Sequence, residues 1–383
     1  MKILVLAATL DLKKPFSATP FILQWFKAFH EEGHQLFIIP YSGKEIKNES
    51  WKSYPNPNYA KSVIAEKFVK YVGSKSNIKN NSLIPIIAQI FVRANLEKAI
   101  KKILEQEKDI SAIINMGLPI NQLKGLAHNL KKEYNIPILF FDPDLPTSLP
   151  ENKGFTFEYY TGADLTEYDS FITTSEGSQP RLKEMGVQSV DTVHIGIDPN
   201  EYIPIDVEKD LDIFFYGHNG DTRKKFVNMM VTEPSKILDY KFFIGGRDYT
   251  MDLGNAEYIS DNVNFEKWKE LSSRSKINLN LVHELHANTF ATSTARIFEL
   301  SALRCCIVSS PYKGLERWFE PKKEIFIANS TKEAIEIYQM LMNDAELRLK
   351  VGLSAEKRVK KDHTARNRVS QIIDIIRKCQ SKS

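Results

Sequence analysis

The stretch from Lys276 to Val308 constrains the fold most. A strand-like run, Lys276-Ile-Asn-Leu-Asn-Leu-Val282, leads through the loop His286-Ala-Asn-Thr-Phe-Ala291 into a helical segment, Ser293-Thr-Ala-Arg-Ile-Phe-Glu-Leu-Ser-Ala302, and then into the apolar run Cys305-Cys-Ile-Val308. Strand, loop, helix and strand in that order make a βαβ unit, whose parallel strands need helices on the faces of their sheet. The helical segment reads as buried, yet it carries Arg296 and Glu299 one turn apart on a shared face. As an exposed pair they would contribute only about 0.2–0.5 kcal/mol, so the charges call for a ligand.

In a βαβ unit the unpaired N–H groups and the positive dipole end of the helix form an anion site at the carboxyl edge of the sheet. Ser293 and Thr294 stand at that terminus, Arg296 is placed to neutralise phosphate, and Glu299 to accept hydrogen bonds from ribose hydroxyls. The expected ligand is a nucleotide diphosphate.

The chain has 383 residues, too many for one ordinary core and suited to two domains of about 150 to 200 residues each. Lys2 to Leu10 predicts a first strand. Thr19-Pro20 predicts a helix start, with Phe21, Ile22, Trp25, Phe26 and Phe29 at helical spacing up to Gly33, and His34 to Tyr41 predicts the next strand. No G-x-G-x-x-G accompanies this βαβ unit, which argues against NAD. Residues 42–82 read as an insertion outside the sheet, and Leu83 to Glu107 as helix. Asp109–Asn115, Ile136–Phe141, Ser170–Thr174 and Val190–Ile195 continue the alternation of a doubly wound domain.

Glycine and two prolines in His194-Ile-Gly-Ile-Asp-Pro-Asn-Glu-Tyr-Ile-Pro204 mark a boundary, after which Leu211–Tyr216, Tyr240–Ile244, Ile277–Val282, Cys305–Ser309 and Ile325–Ala328 predict a second set of strands. The expected fold class is α/β, with two Rossmann-like doubly wound domains facing a central cleft. The expected domains are 1–195 on the acceptor side, 196–360 for the donor, and a C-terminal helix, 361–383, that returns to the first domain.

Three further motifs bear on chemistry. Tyr216-Gly-His-Asn-Gly-Asp-Thr-Arg-Lys-Lys225 follows a strand; Gly217 lets the backbone approach a ligand, and His218, Arg223 and Lys224 stand beside it. Asp142-Pro-Asp144 follows another strand and reads first as a turn. It leaves Asp142, with His30 and His286, as a candidate general base. His283-Glu-Leu-His286 lacks the spacing of H-E-x-x-H, so no zinc is expected. The assigned roles are catalytic for Arg223, Arg296, His286 and Asp142, and donor-binding for Gly217, His218, Lys224, Ser293, Thr294 and Glu299, with no metal and no cofactor.

With these residues in place the chain resembles GT-B glycosyltransferases, and within them the group 1 branch that includes CgeB-type proteins. The resemblance rests on Phe171-Ile-Thr-Thr-Ser-Glu-Gly177, Leu182–Gly186, His194–Pro199, Asp212–Gly217, the R-x-F-E segment Thr294–Glu299, and Leu341–Arg368 with Asp344-Ala-Glu-Leu-Arg348 and His363-Thr-Ala-Arg366. It implies a hexosyltransferase-like enzyme of glycan biosynthesis that moves a sugar from a nucleotide diphosphate sugar, without metal, to a glycan, lipid-linked sugar or protein. In that family the glutamate matching Glu299 binds donor ribose, whereas the glutamate often found eight residues earlier is Ala291 here. Two competing expectations are an epimerase of the same fold and a sugar-nucleotide binding protein without activity.

Composition excludes other classes. A net charge of +4 is too small for a nucleic-acid-binding chain, and no run of 18 apolar residues is present. Nine Lys/Arg against two Glu between Lys61 and Lys102 give the first domain a basic face suited to peripheral membrane contact. The three cysteines, Cys305, Cys306 and Cys379, offer no disulfide framework, which predicts a cytoplasmic protein.

Overall fold

The computed structural model describes residues 1–7, 21–45, 47–60, 89–152, 159–218, 220–260 and 263–381. The end of the first predicted strand (8–10), the Thr19-Pro20 helix start and residues 61–88 of the predicted insertion and basic stretch lie outside them. The chain forms two units, each built on a fully parallel sheet.

The first unit takes residues 26–194 and the chain from Val369 onward, with the first strand. Its seven strands are β1 (Lys2–Ala7), β2 (Gln35–Pro40), β3 (Lys52–Ser53), β4 (Ile110–Met116), β5 (Ile138–Asp142), β6 (Ser170–Thr173) and β7 (Val190–Thr192). Their order is β3-β2-β1-β4-β5-β6-β7. Buried Leu4, Leu6, Ile113, Phe140 and Phe171 fill the core. One expectation is corrected here: within residues 42–82, Lys52–Ser53 belong to the sheet, pairing with Phe37 and Ile38. The neighbouring Trp51 is buried, with its ring edge-on to Phe26. On the helix Ala94–Gln106 the basic face is partly neutralised, since Lys101 pairs with Glu97 and Glu133. No helix among the described residues is long and apolar enough to cross a membrane.

The second unit takes residues 195–368 and the first turn of the helix Phe21–Glu31. Its strands are β8 (Leu211–Tyr216), β9 (Phe242–Gly245), β10 (Glu257–Tyr258), β11 (Ser275–Asn280), β12 (Ile307–Ser309) and β13 (Phe326–Ile327), in the order β10-β9-β8-β11-β12-β13. The chain winds outward from β8 in one direction and then resumes at β11 on the other side. The switch point, where doubly wound sheets bind ligands, is therefore the carboxyl edge between β8 and β11.

His363, 6% exposed, ends the helix Ala345–Asp362. Its Nδ1 accepts from Arg368 Nη2 at 2.8 Å, so the proton sits on Nε2 and is donated to Trp318 O at 3.1 Å. Burial, and then the charge of Arg368, hold its pKa down to about 4. An unfolded imidazole protonates near 6.5, so this contribution is complete above that pH and is lost as pH falls through 4. Acid titration of unfolding should show a loss on the order of 3 kcal/mol from this group. His363→Gln can keep both hydrogen bonds without titrating and should flatten the slope; an unchanged slope would contradict the assignment.

Candidate functional site

The loops at the carboxyl edge of the second sheet bring most of the predicted residues together. Arg223 bridges the switch point: its Nε donates to Leu281 O, after β11, at 2.8 Å, and its Nη1 donates to His218 O, after β8. Burial pushes its pKa down to about 10. Arg223 is thus a strut between two turns as well as a charge. Lys224 beside it is exposed.

His218 Nδ1 accepts from the backbone N–H of Arg247 at 3.3 Å, which leaves the proton on Nε2. Burial lowers its pKa, and the charges of Arg247, Arg296 and Arg223 lower it further. Three guanidinium groups therefore act on one imidazole. His283 and His286 stack with ring centroids 5.3 Å apart. Burial and Arg223 push them down to about 3 and about 4. At neutral pH both rings are uncharged, each with one N–H donor and one acceptor nitrogen.

Gly217 and Gly220, in the turn after β8, both lie against aromatic rings. A Cβ on Gly217 would meet the Phe215 ring at 2.8 Å, and one on Gly220 the Tyr249 ring at 2.5 Å. Tyr249 donates its hydroxyl to Gly217 O at 2.8 Å. The absence of a side chain at both positions lets the turn pack this closely on its aromatic neighbours.

On the helix Ala295–Ala302 the shared face of Arg296 and Glu299 points inward. Glu299 is 2% exposed; its Oε1 accepts from Tyr202 at 3.1 Å, and its Oε2 lies 3.3 Å from Arg296 Nη1. The Arg296 guanidinium lies 4.3 Å over the Trp268 ring, a cation–π contact that fixes its plane. Burial raises the Glu299 pKa, while Arg296 and the Tyr202 hydroxyl pull it down. Ser293 does not cap the helix: its Oγ accepts from Ile195 N at 2.8 Å. Thr294 is the N-cap residue but makes no side-chain capping bond, so the first N–H groups of the helix are not satisfied by it.

Asp142 belongs to the first unit, at the end of β5. It is 2% exposed and accepts from Ser148 Oγ at 2.5 Å, Tyr160 OH at 2.6 Å and Asp144 N at 2.9 Å. These bonds hold the turn after β5, and the exposed carboxylate of the pair is Asp144. Among the described residues no group of three or more His, Cys, Asp or Glu side chains is placed to hold a metal.

Sequence reasoning missed Arg247, Trp268, Tyr202 and Gln24. Arg247 had a signal, since Gly245-Gly246 directly after an apolar strand marks a tight turn at a sheet edge. The other three are brought in by tertiary packing.

Residues 223–374 match the model of a family described as glycosyl transferase-like. No curated protein sequence matches the chain. Among solved structures it is similar to sucrose-phosphate synthase from Thermosynechococcus elongatus, with TM-score 0.65 and 12% identity over 100% of both chains. A glycosyltransferase from Rickettsia africae gives 0.63 and 13%, covering 100% of this chain and 99% of the other. Anabaena HepE, solved in complex with UDP and glucose, gives 0.61 and 11% over 99% and 100%. At such identities the likeness shows the fold, two Rossmann-like units of the GT-B type.

Proposed function

We propose that this chain is a glycosyltransferase of the group 1, CgeB-like branch that transfers a sugar from a nucleotide diphosphate donor to an acceptor hydroxyl. The observation that carries the reading is the set of arginines at the switch point of the second sheet: Arg223 bridges the turns after β8 and β11, Arg247 follows β9 with its backbone N–H on His218, and Arg296 lies in the first turn of the helix Ala295–Ala302, which follows β11. Fixed guanidinium groups at a sheet edge stabilise the charge that develops on a departing diphosphate, the main electrostatic task of such a transfer. They also supply the positive charge that a divalent ion otherwise brings, so transfer is metal-independent in this account. The family match over residues 223–374 and the UDP bound by Anabaena HepE support a donor of this class.

The test is release of free nucleoside diphosphate from UDP-, GDP- and ADP-sugars, with and without EDTA. Release from one donor that persists in EDTA is expected. Loss in EDTA, restored by Mg²⁺ or Mn²⁺, would overturn the metal-free assignment.

A second reading, a donor-binding protein that transfers nothing, is favoured by Ala291. It is buried, has φ 45° and donates its N–H to Lys313 O, so this turn brings no carboxylate to the site. In that case donor binds and no diphosphate is released from any sugar nucleotide.

A further inference from the structure

We propose that Gln24 and Tyr202 are positioning residues that aim the Glu299 carboxylate at the hydroxyls of the nucleotide ribose. The inference rests on the donor reading above.

A carboxylate as buried as Glu299 is costly unless its oxygens are satisfied. The satisfaction here has a direction. Gln24 Oε1 accepts from the backbone N–H of Asp198 at 2.6 Å. That bond fixes which end of the amide is which, because the flipped amide would set an NH₂ against an N–H. Gln24 Nε2 then donates to the Tyr202 hydroxyl at 3.0 Å. An amide nitrogen only donates, so the single Tyr202 proton goes to Glu299 Oε1. From Asp198 N–H to Gln24, Tyr202 and Glu299, every donor points the same way, and both side chains between are buried.

Tyr202 and Arg296 hold one carboxylate oxygen each, which leaves lone pairs on both for further donors. Arg296 Nη1 is buried and makes no hydrogen bond beyond its ion-pair contact with Glu299. The carboxylate is therefore clamped from two sides with acceptor capacity to spare, as recognition of two adjacent hydroxyls requires. The clamp begins in the first helix, where Trp25 Nε1, next to Gln24, donates to Gly196 O at 2.9 Å.

The experiment pairs protein variants with ligand variants. UDP, GDP and ADP, with their 2′-deoxy and 3′-deoxy forms, are titrated calorimetrically into wild type, Tyr202→Phe and Gln24→Glu. Wild type is expected to bind the ribonucleotide at least about tenfold more tightly than one of its deoxy forms. Tyr202→Phe removes the donor. Gln24→Glu is isosteric but turns the Tyr202 proton away from Glu299. Each should bring the ribo-to-deoxy ratio toward one while leaving the deoxy form almost unaffected. Equal weakening of both forms, with the ratio kept, would mean that the network only holds the fold together and would overturn the inference while leaving the donor reading standing. A wild type that binds none of the ribonucleotides would overturn the donor reading and this inference with it.

Discussion

Gly246→Ala is expected to destabilise the second unit by more than about 4 kcal/mol, enough to keep the chain from accumulating in folded form. Gly246 has φ 120°, a conformation L side chains rarely adopt, and a Cβ there would stand 1.8 Å from Gly217 O. The clash is with backbone, and that backbone is tied down: Gly217 N donates to Gly245 O and Gly217 O accepts from Tyr249. Gly246 is equally fixed, with its N–H on Ser260 O and its carbonyl accepting from Tyr258. The turns after two adjacent strands thus meet main chain to main chain, and this contact carries His218 and Arg247 into place. Denaturant unfolding checks it; a variant within about 1 kcal/mol of wild type would show that the turns can separate freely.

Glu299→Ala is expected to weaken nucleoside diphosphate binding by about 1.5–3 kcal/mol, roughly 10- to 150-fold. A surface carboxylate could be removed without harm to the fold, but this one cannot. The Tyr202 hydroxyl and Arg296 would be left buried without their partner, at a stability cost of about 1–3 kcal/mol. Glu299→Gln separates the two effects, since the amide oxygen can still accept from Tyr202 while the charge is gone. Calorimetry and denaturant unfolding on both variants should show binding lost in each and stability lost mainly in the alanine. Wild-type affinity in Glu299→Ala would leave the carboxylate a purely structural group.

The alternation of strands was legible because parallel strands buried on both faces read as near-continuous apolar runs; β1 and β8 are examples. The two-residue edge strands β3 and β10 were not, because neither has an apolar run and their pairing is decided by the neighbouring strand. At the candidate site, helical spacing told that Arg296 and Glu299 share a face. It could not tell that the face looks inward, because the partner that settles it, Tyr202, is 97 residues away in sequence, and Gln24 is a further 178 from Tyr202. Likewise Asp142-Pro-Asp144 announced a turn with two carboxylates, but which one is consumed by the fold depends on Ser148 and Tyr160.

The most direct test of the central claim is calorimetric titration of the wild-type chain with UDP, GDP and ADP in EDTA. The arginine cluster at the β8–β11 edge predicts that at least one of them binds at one site per chain without a divalent ion. Binding by none, or binding that appears only when Mg²⁺ or Mn²⁺ is added, would contradict it.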